Sequence, residues 1–256
     1  MRLPMKNLNS GSKPIDTVVF DFDGTLADTI ESSLLAFEST LLQFHFEPPK
    51  SLTKEIYGAL STEGMFRSVG ISDFNLQSKI LLRYNELYRE IAPRIASLFA
   101  GVRFTLNLLM ERGFRLAIAT NEHRENLDIL LRTFCIDQIF HTTCCADEVS
   151  RPKPWPDMGR KVVSRLDADP TRCLMLGDSV VDIEMARSNH MRSCVVSWGA
   201  TSLDCLLDAS PNFAITNFQQ LLDILGIVNT NPEFQRILPN KSADISEASL
   251  TTSSFL

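Results

Sequence analysis

No segment of the 256-residue chain approaches the continuous apolar length that a membrane span needs, which speaks against an integral membrane protein. The start, Met1 to Lys13, has basic residues but no apolar stretch behind them, so it does not look like a secretory signal. Positive charge is not in excess. The 25 Lys and Arg face 31 Asp and Glu, and the net charge of -6 argues against a nucleic-acid partner or an anionic-membrane surface. A local basic pocket stays possible. None of the six cysteines (Cys135, Cys144, Cys145, Cys173, Cys194 and Cys205) are spaced as Cys-x-x-Cys. The expectation is buried, reduced thiols in a cytoplasmic protein, with zinc ligation as the alternative. No internal repeat is present, and no feature specifies an oligomeric state.

What is present is ordinary in bulk. Hydrophobic residues make up 44% of the chain, as in a soluble globular protein long enough for a large domain or a core plus a small insertion. Val18 to Phe22 is a short β-branched and aromatic run that reads as a buried parallel strand entering a loop at Gly24. From Ile30 to about Leu98 the pattern is helical. Leu34, Leu35, Phe37, Leu41 and Leu42 recur at helical spacing, and Pro48-Pro49 breaks that helix. Ser51 to Glu55 can start another, and Gly58, Gly64 and Gly70 punctuate the middle. Ile80 to Ile91 is a further helix, expected to end before Pro93. A strand–helix–strand crossover needs roughly 30 residues, so this connection is an insertion.

Beyond Gly101, strands and helices alternate. Strands are predicted at Arg115–Thr120, Gln138–Cys144, Cys173–Leu176, Ser193–Trp198 and Phe213–Ile215. Helices are predicted at Gly101–Arg112, Glu122–Phe134, Asp157–Leu166, Val181–Ser188, Ser202–Asp208 and Phe218–Leu225. That alternation predicts an α/β fold, a doubly wound, Rossmann-like parallel sheet covered on both faces. The core is expected over 14–29 and 99–228, the helical insertion over 30–98, and a polar tail, disordered or lightly docked, over 229–256.

In such a sheet, ligands bind outside the carboxyl ends of the strands. Asp21 and Asp23 lie at the end of the first strand, two residues apart and facing one side if extended geometry continues. Gly24 lets the backbone turn or approach a ligand closely. Thr120-Asn121 ends the second strand, where Thr120 can also cap the helix starting near Glu122. Lys153, stiffened by Pro152, Pro154 and Pro156, follows the third. Gly177-Asp178-Ser179 ends the fourth, and Asp182 shares a helix face with Asp178 if the helix begins at Asp178. Crowded carboxylates call for a cation or a lysine partner, and hard oxygen ligands on a rigid edge suit Mg²⁺. His123, Arg151 and Arg67 read as surface residues.

These stretches resemble the haloacid dehalogenase (HAD) superfamily. Asp21-Phe22-Asp23-Gly24-Thr25 is similar to its first motif, Thr120 to its second, Lys153-Pro154-Trp155-Pro156 to its third, and Gly177-Asp178-Ser179-Val180-Val181-Asp182 to its fourth. The resemblance implies a Mg²⁺-dependent, phosphoglycolate-phosphatase-like enzyme acting on a small phosphorylated metabolite. Asp21 would be the nucleophile and Asp23 the general acid/base. Thr120, Asn121 and Lys153 would hold the phosphoryl group. Asp21, Asp178 and the Asp23 carbonyl would hold the metal. Gly24, Thr25, Gly177, Ser179 and Asp182 would support them. The insertion would form a cap over the site. A phosphomutase of the β-phosphoglucomutase type uses the same core, and a non-enzymatic binding protein of the same fold is the other alternative. After Ala186-Arg187 the family commonly has Ala-Gly, whereas here Ser188-Asn189-His190-Met191 follows. Asn and His tolerate a left-handed cap, so a stability cost is expected there.

Overall fold

A computed structural model describes residues 13–49, 62–229, 231 and 236. The expected helix start at Ser51–Glu55, Gly58, the first twelve residues and nearly all of the polar tail lie outside the described residues.

Six strands form one parallel sheet: β1 (Thr17–Phe20), β4 (Arg115–Ala119), β5 (Thr142–Cys144), β6 (Cys173–Gly177), β7 (Arg192–Val196) and β8 (Phe213–Ile215). Their order is β5-β4-β1-β6-β7-β8. Alternation along each strand feeds two cores. Val18, Phe20, Leu116, Ile118, Leu174 and Leu176 pack on one face. Val19, Ala117, Ala119 and Met175 pack on the other, against Met158 and Val162 of α6 (Asp157–Leu166) and Met185 of α7 (Val180–Ser188). Both faces of the strands are therefore apolar, which explains their continuous hydrophobic runs. Helices α4 (Val102–Glu111), α5 (Arg124–Thr133), α8 (Leu203–Asp208) and α9 (Phe218–Ile224) complete the layers.

The chain leaves and re-enters this core through a two-stranded antiparallel ladder, β2 (Ala27–Asp28) with β3 (Ser97–Leu98). The sequence pattern placed Leu98 in a helical stretch; two-residue strands are too short to register as a period. Between them lie α1 (Ile30–Gln43), α2 (Thr62–Ser68) and α3 (Phe74–Ile95). Phe37, Leu41, Phe66, Ile71 and Ile80 form an apolar cluster of their own. Two expectations fail here. Gly64 lies inside α2 rather than between helices. Helix α3 starts six residues before Ile80, where the Asp73 carboxylate accepts a bond from the Leu76 N–H at 2.7 Å, and it runs through Pro93 to Ile95. Pro93 lacks a donor and its ring crowds the preceding turn, and burial of Leu87, Tyr88 and Ala92 holds the last turns in place against that cost.

The third core strand is shorter than expected, Thr142–Cys144 instead of Gln138–Cys144. It is a sheet edge, where short strands limit unwanted pairing. Cys144, Cys145, Cys173 and Cys194 are buried as expected, but Cys135 and Cys205 are exposed; all six are free thiols. No helix among the described residues is long and apolar enough to cross a membrane. The Ser188–Met191 turn closes α7 with His190 at φ 58°, the left-handed conformation. His190→Gly is expected to raise stability by about 0.5–1 kcal/mol, the relief of a side chain at positive φ less the added freedom of the unfolded chain. A thermal midpoint that stays level or drops would contradict this.

Candidate active site

β1 is the switch point of the sheet. The chain proceeds from it to β4 on one side and returns to β6 on the other, so a crevice opens beyond its carboxyl end. The loops that leave β1, β4, β5 and β6 meet there, and they carry the residues singled out from the sequence.

Asp21 follows β1 directly and is buried, its N–H donating to the Leu176 carbonyl of β6 at 2.8 Å. Its Oδ1 accepts from the Phe22 N–H at 2.8 Å and pairs with Lys153 Nζ at 2.8 Å. The other oxygen, Oδ2, accepts no hydrogen bond from the described residues. Lys153 Nζ reaches Asp182 Oδ1 at 2.7 Å, so one ammonium joins two carboxylates. Burial works against the Lys153 charge, but Asp182 and Asp21 outweigh it and hold the ammonium above its ordinary range.

Asp23 has a different environment. Thr29 Oγ1 donates to its Oδ1 at 2.7 Å, and the buried Tyr88 hydroxyl of α3 lies 3.5 Å from the same oxygen. Burial, then the neighbouring Glu122 carboxylate, push Asp23 up to about 8, with Thr29 and Lys153 opposing. The two aspartates of one motif thus have separate partners: Asp21 is tied to a cation, while Asp23 is held by hydroxyls at the side facing the insertion.

At the end of β6, the expected helix start at Asp178 is not what forms. Helix α7 begins at Val180 with Ser179 as its N-cap, and Asp182 closes a capping box by accepting from the Ser179 N–H at 3.1 Å. Asp182 therefore uses one oxygen as a cap and the other on Lys153. Asp178 lies outside the helix, with Oδ2 accepting from the Ala200 N–H at 2.8 Å. Gly24, at φ 72°, and Gly177 both permit close approaches. A Cβ on Gly24 would sit 2.3 Å from Asp178 Oδ2, and one on Gly177 would sit 2.2 Å from Asp182 Oδ2. Thr25 Oγ1 is buried with no hydrogen-bond partner among the described residues.

Thr120 directly follows β4, with its N–H on the Cys144 carbonyl at 3.0 Å, and its Oγ1 accepts from the Glu122 N–H at 3.1 Å. It supports the turn into α5, but the N-cap position itself belongs to His123. Asn121 turns its side chain to the lysine loop, accepting from the Lys153 N–H at 3.0 Å and donating to the Lys153 carbonyl at 3.1 Å. Arg151 is a surface residue, paired with Asp157 and stacked on Trp155. Arg67 is exposed. His123 is half-exposed, with Nδ1 4.0 Å from Asp147 Oδ2.

One oxygen from each of Asp21, Asp178 and Asp182 can lie within 4.8 Å of the others. The donor set is hard, anionic and buried, as an oxygen-seeking divalent cation requires. Asp182 is already satisfied by Lys153 and Ser179, which leaves Asp21 and Asp178 as the carboxylates open to a metal. Burial, then the Asp21 charge, push Asp178 up to about 7, an imbalance that a cation would relieve.

Three neighbours of the site went unread in the sequence: Thr29, Tyr88 and Glu122. Trp198-Gly199 resembles a family loop near the site, with no role assigned from the sequence; here Trp198 Nε1 donates to the Thr25 carbonyl at 3.2 Å. Glu122 lies on the same strand edge as Thr120 and could have been found by that rule. Tyr88 could not, because only the folding of α3 back toward β1 brings it near.

The chain matches the family model for haloacid dehalogenase-like hydrolases over residues 18–196. It is 28% identical over 212 residues to the pyrophosphatase PpaX of Bacillus pumilus, a match that covers 83% of this chain and 97% of the relative. It is 32% identical over 215 residues to the probable phosphatase IndB of Dickeya dadantii, covering 82% and 92%. The crystal structure of CbbY from Rhodobacter sphaeroides in complex with phosphate has the same fold, with a TM-score of 0.72 at 24% identity, over 83% of this chain and all of that one. The matched span holds every strand from β1 to β7 but for one residue of β1, together with all of the clustered carboxylates, Thr120 and Lys153. This chain belongs to the haloacid dehalogenase-like hydrolases.

Proposed function

We propose that this hydrolase is a Mg²⁺-dependent phosphatase of small phosphate monoesters, working through an aspartyl-phosphate on Asp21, with the insertion over 30–98 as its cap. The observation that carries the reading is the contrast between the two aspartates. Asp21 is tied to Lys153 and keeps Oδ2 open, as an anionic nucleophile needs. Asp23, with its hydroxyl partners and no cation in contact, suits proton transfer. Two carboxylates in contrasting environments are the usual sign of divided roles. The names of PpaX and IndB support phosphate-bond hydrolysis as the chemistry.

In the first step Asp21 attacks phosphorus in line, the bond to the ester oxygen breaks, and Asp23 gives that oxygen its proton. In the second, Asp23 takes a proton from water, which attacks the acyl-phosphate and frees both inorganic phosphate and Asp21. Lys153 and the Thr120 hydroxyl hold the phosphoryl oxygens, and Asn121 fixes the loop that carries Lys153. Asp182 and Ser179 position the lysine. Asp21, Asp178 and the Asp23 carbonyl would hold Mg²⁺, which when bound offsets the charge of the phosphoryl group.

A panel of small phosphate monoesters tests the proposal by phosphate release. Turnover is expected with Mg²⁺, is expected to vanish after rigorous chelation, and should return when Mg²⁺ is restored. Full activity without metal would sink the metal assignment. Isomerisation of a hexose phosphate with no free phosphate would replace the phosphatase with a mutase.

A further inference from the structure

We infer that the alcohol released by this enzyme carries a positive charge, an ammonium or quaternary amine, and that Glu122 selects it. The inference rests on the phosphatase reading above and adds the chemistry of the half of the substrate that is not transferred.

Asp23 delivers a proton to the leaving oxygen, so the leaving group lies on the Asp23 side of the phosphorus. Glu122 is on that side. It follows Thr120-Asn121 at the carboxyl end of β4, the strand hydrogen-bonded to β1, and Asn126 links it to Asn85 of α3, one helical turn from Tyr88, whose hydroxyl lies 3.5 Å from Asp23 Oδ1. Its orientation is fixed. Oε1 accepts from the His123 N–H at 2.7 Å and from Asn126 Nδ2 at 2.8 Å. Asn126 is only 1% exposed, and its Nδ2 also donates to Asn85 Oδ1 of α3 at 2.8 Å. The carboxylate is thereby anchored where the sheet edge meets the insertion. Its second oxygen, Oε2, accepts no hydrogen bond from the described residues.

No described cation neutralises this carboxylate. Arg89 of α3 turns instead to Glu125 Oε2, at 3.0 Å, and to Asn126 Oδ1, at 3.3 Å. Lys153 is spent on Asp21 and Asp182. A leaving group with a carboxylate or second phosphate would meet Glu122 with like charge in a partly buried cleft, where such repulsion is poorly screened. An ammonium would supply the missing partner, with a charge-assisted bond to Oε2.

Three esters of matched size isolate the charge: phosphoethanolamine, 2-hydroxyethyl phosphate and phosphoglycolate, which end in an ammonium, a hydroxyl and a carboxylate. With Mg²⁺, kcat/KM is expected to fall in that order, by at least about tenfold from first to last. Glu122→Gln retains an acceptor for His123 and Asn126 while removing the charge, and should shrink the ammonium-to-carboxylate ratio by about tenfold; Glu122→Lys should invert the order. A wild-type preference for phosphoglycolate, or a ratio unmoved in Glu122→Gln, overturns the inference. Hydrolysis of nitrophenyl phosphate reports separately on the phosphatase reading. If no ester is turned over, that reading fails, and calorimetric binding of the same three esters to wild type and Glu122→Gln still decides the charge preference by the same ordering.

Discussion

Asp21→Asn should remove phosphate release while leaving the protein folded, with turnover lower by roughly 10,000-fold or more, the scale on which loss of a covalent nucleophile acts. An amide oxygen can still accept from the Phe22 N–H and from Lys153, so the local bonds survive. Stability should hold or rise, because one of three crowded buried carboxylates loses its charge. Circular dichroism and a thermal midpoint monitor the fold, and acid-stable trapping of phosphoprotein, expected in wild type only, monitors the intermediate. A folded Asp21→Asn protein with near-normal turnover would assign the attack to another group.

Asp23→Asn should lower the overall rate by roughly 100- to 10,000-fold, the range for a general acid/base, and it should act unequally on leaving groups. A sugar alkoxide needs its proton as the bond to phosphorus breaks, whereas nitrophenolate departs without one. With nitrophenyl phosphate the first half-reaction should therefore survive better, while the second still lacks a base for water. Rapid mixing should then show a burst of nitrophenolate followed by slow release. Asp21→Asn should show no burst, since no attacker remains. If Asp23→Asn gives neither a burst nor any leaving-group dependence, its contact with Thr29 and Tyr88 is structural and the proton must come from elsewhere.

Read by itself, the sequence determined the strands and most of the helices of the sheet, because a strand buried on both faces must be continuously apolar and its helices must show their own period. It also marked where chemistry could lie, since polar residues directly after such strands can only fall on one edge: Asp21, Asp23, Thr120, Asn121 and Asp178 all do, and Lys153 joins them from the loop that follows β5. Local rules found the turn at His190 and the short side chain demanded at Gly24. What the tertiary structure alone decided were relations between distant segments. The strand order sets β4 and β6 on either side of β1, and this makes separate strand ends into one crevice. Ser179, not Asp178, caps α7, which frees Asp178 and gives Asp182 to Lys153 across 29 residues of chain. The ladder between β2 and β3 and the passage of α3 through Pro93 bring Tyr88 to Asp23 and Asn85 to Asn126. The physical reason is common to all of these. Period and propensity are local, whereas pairing across the sheet, burial against the insertion and the neutralisation of one charge by another depend on which residues the closed chain sets side by side.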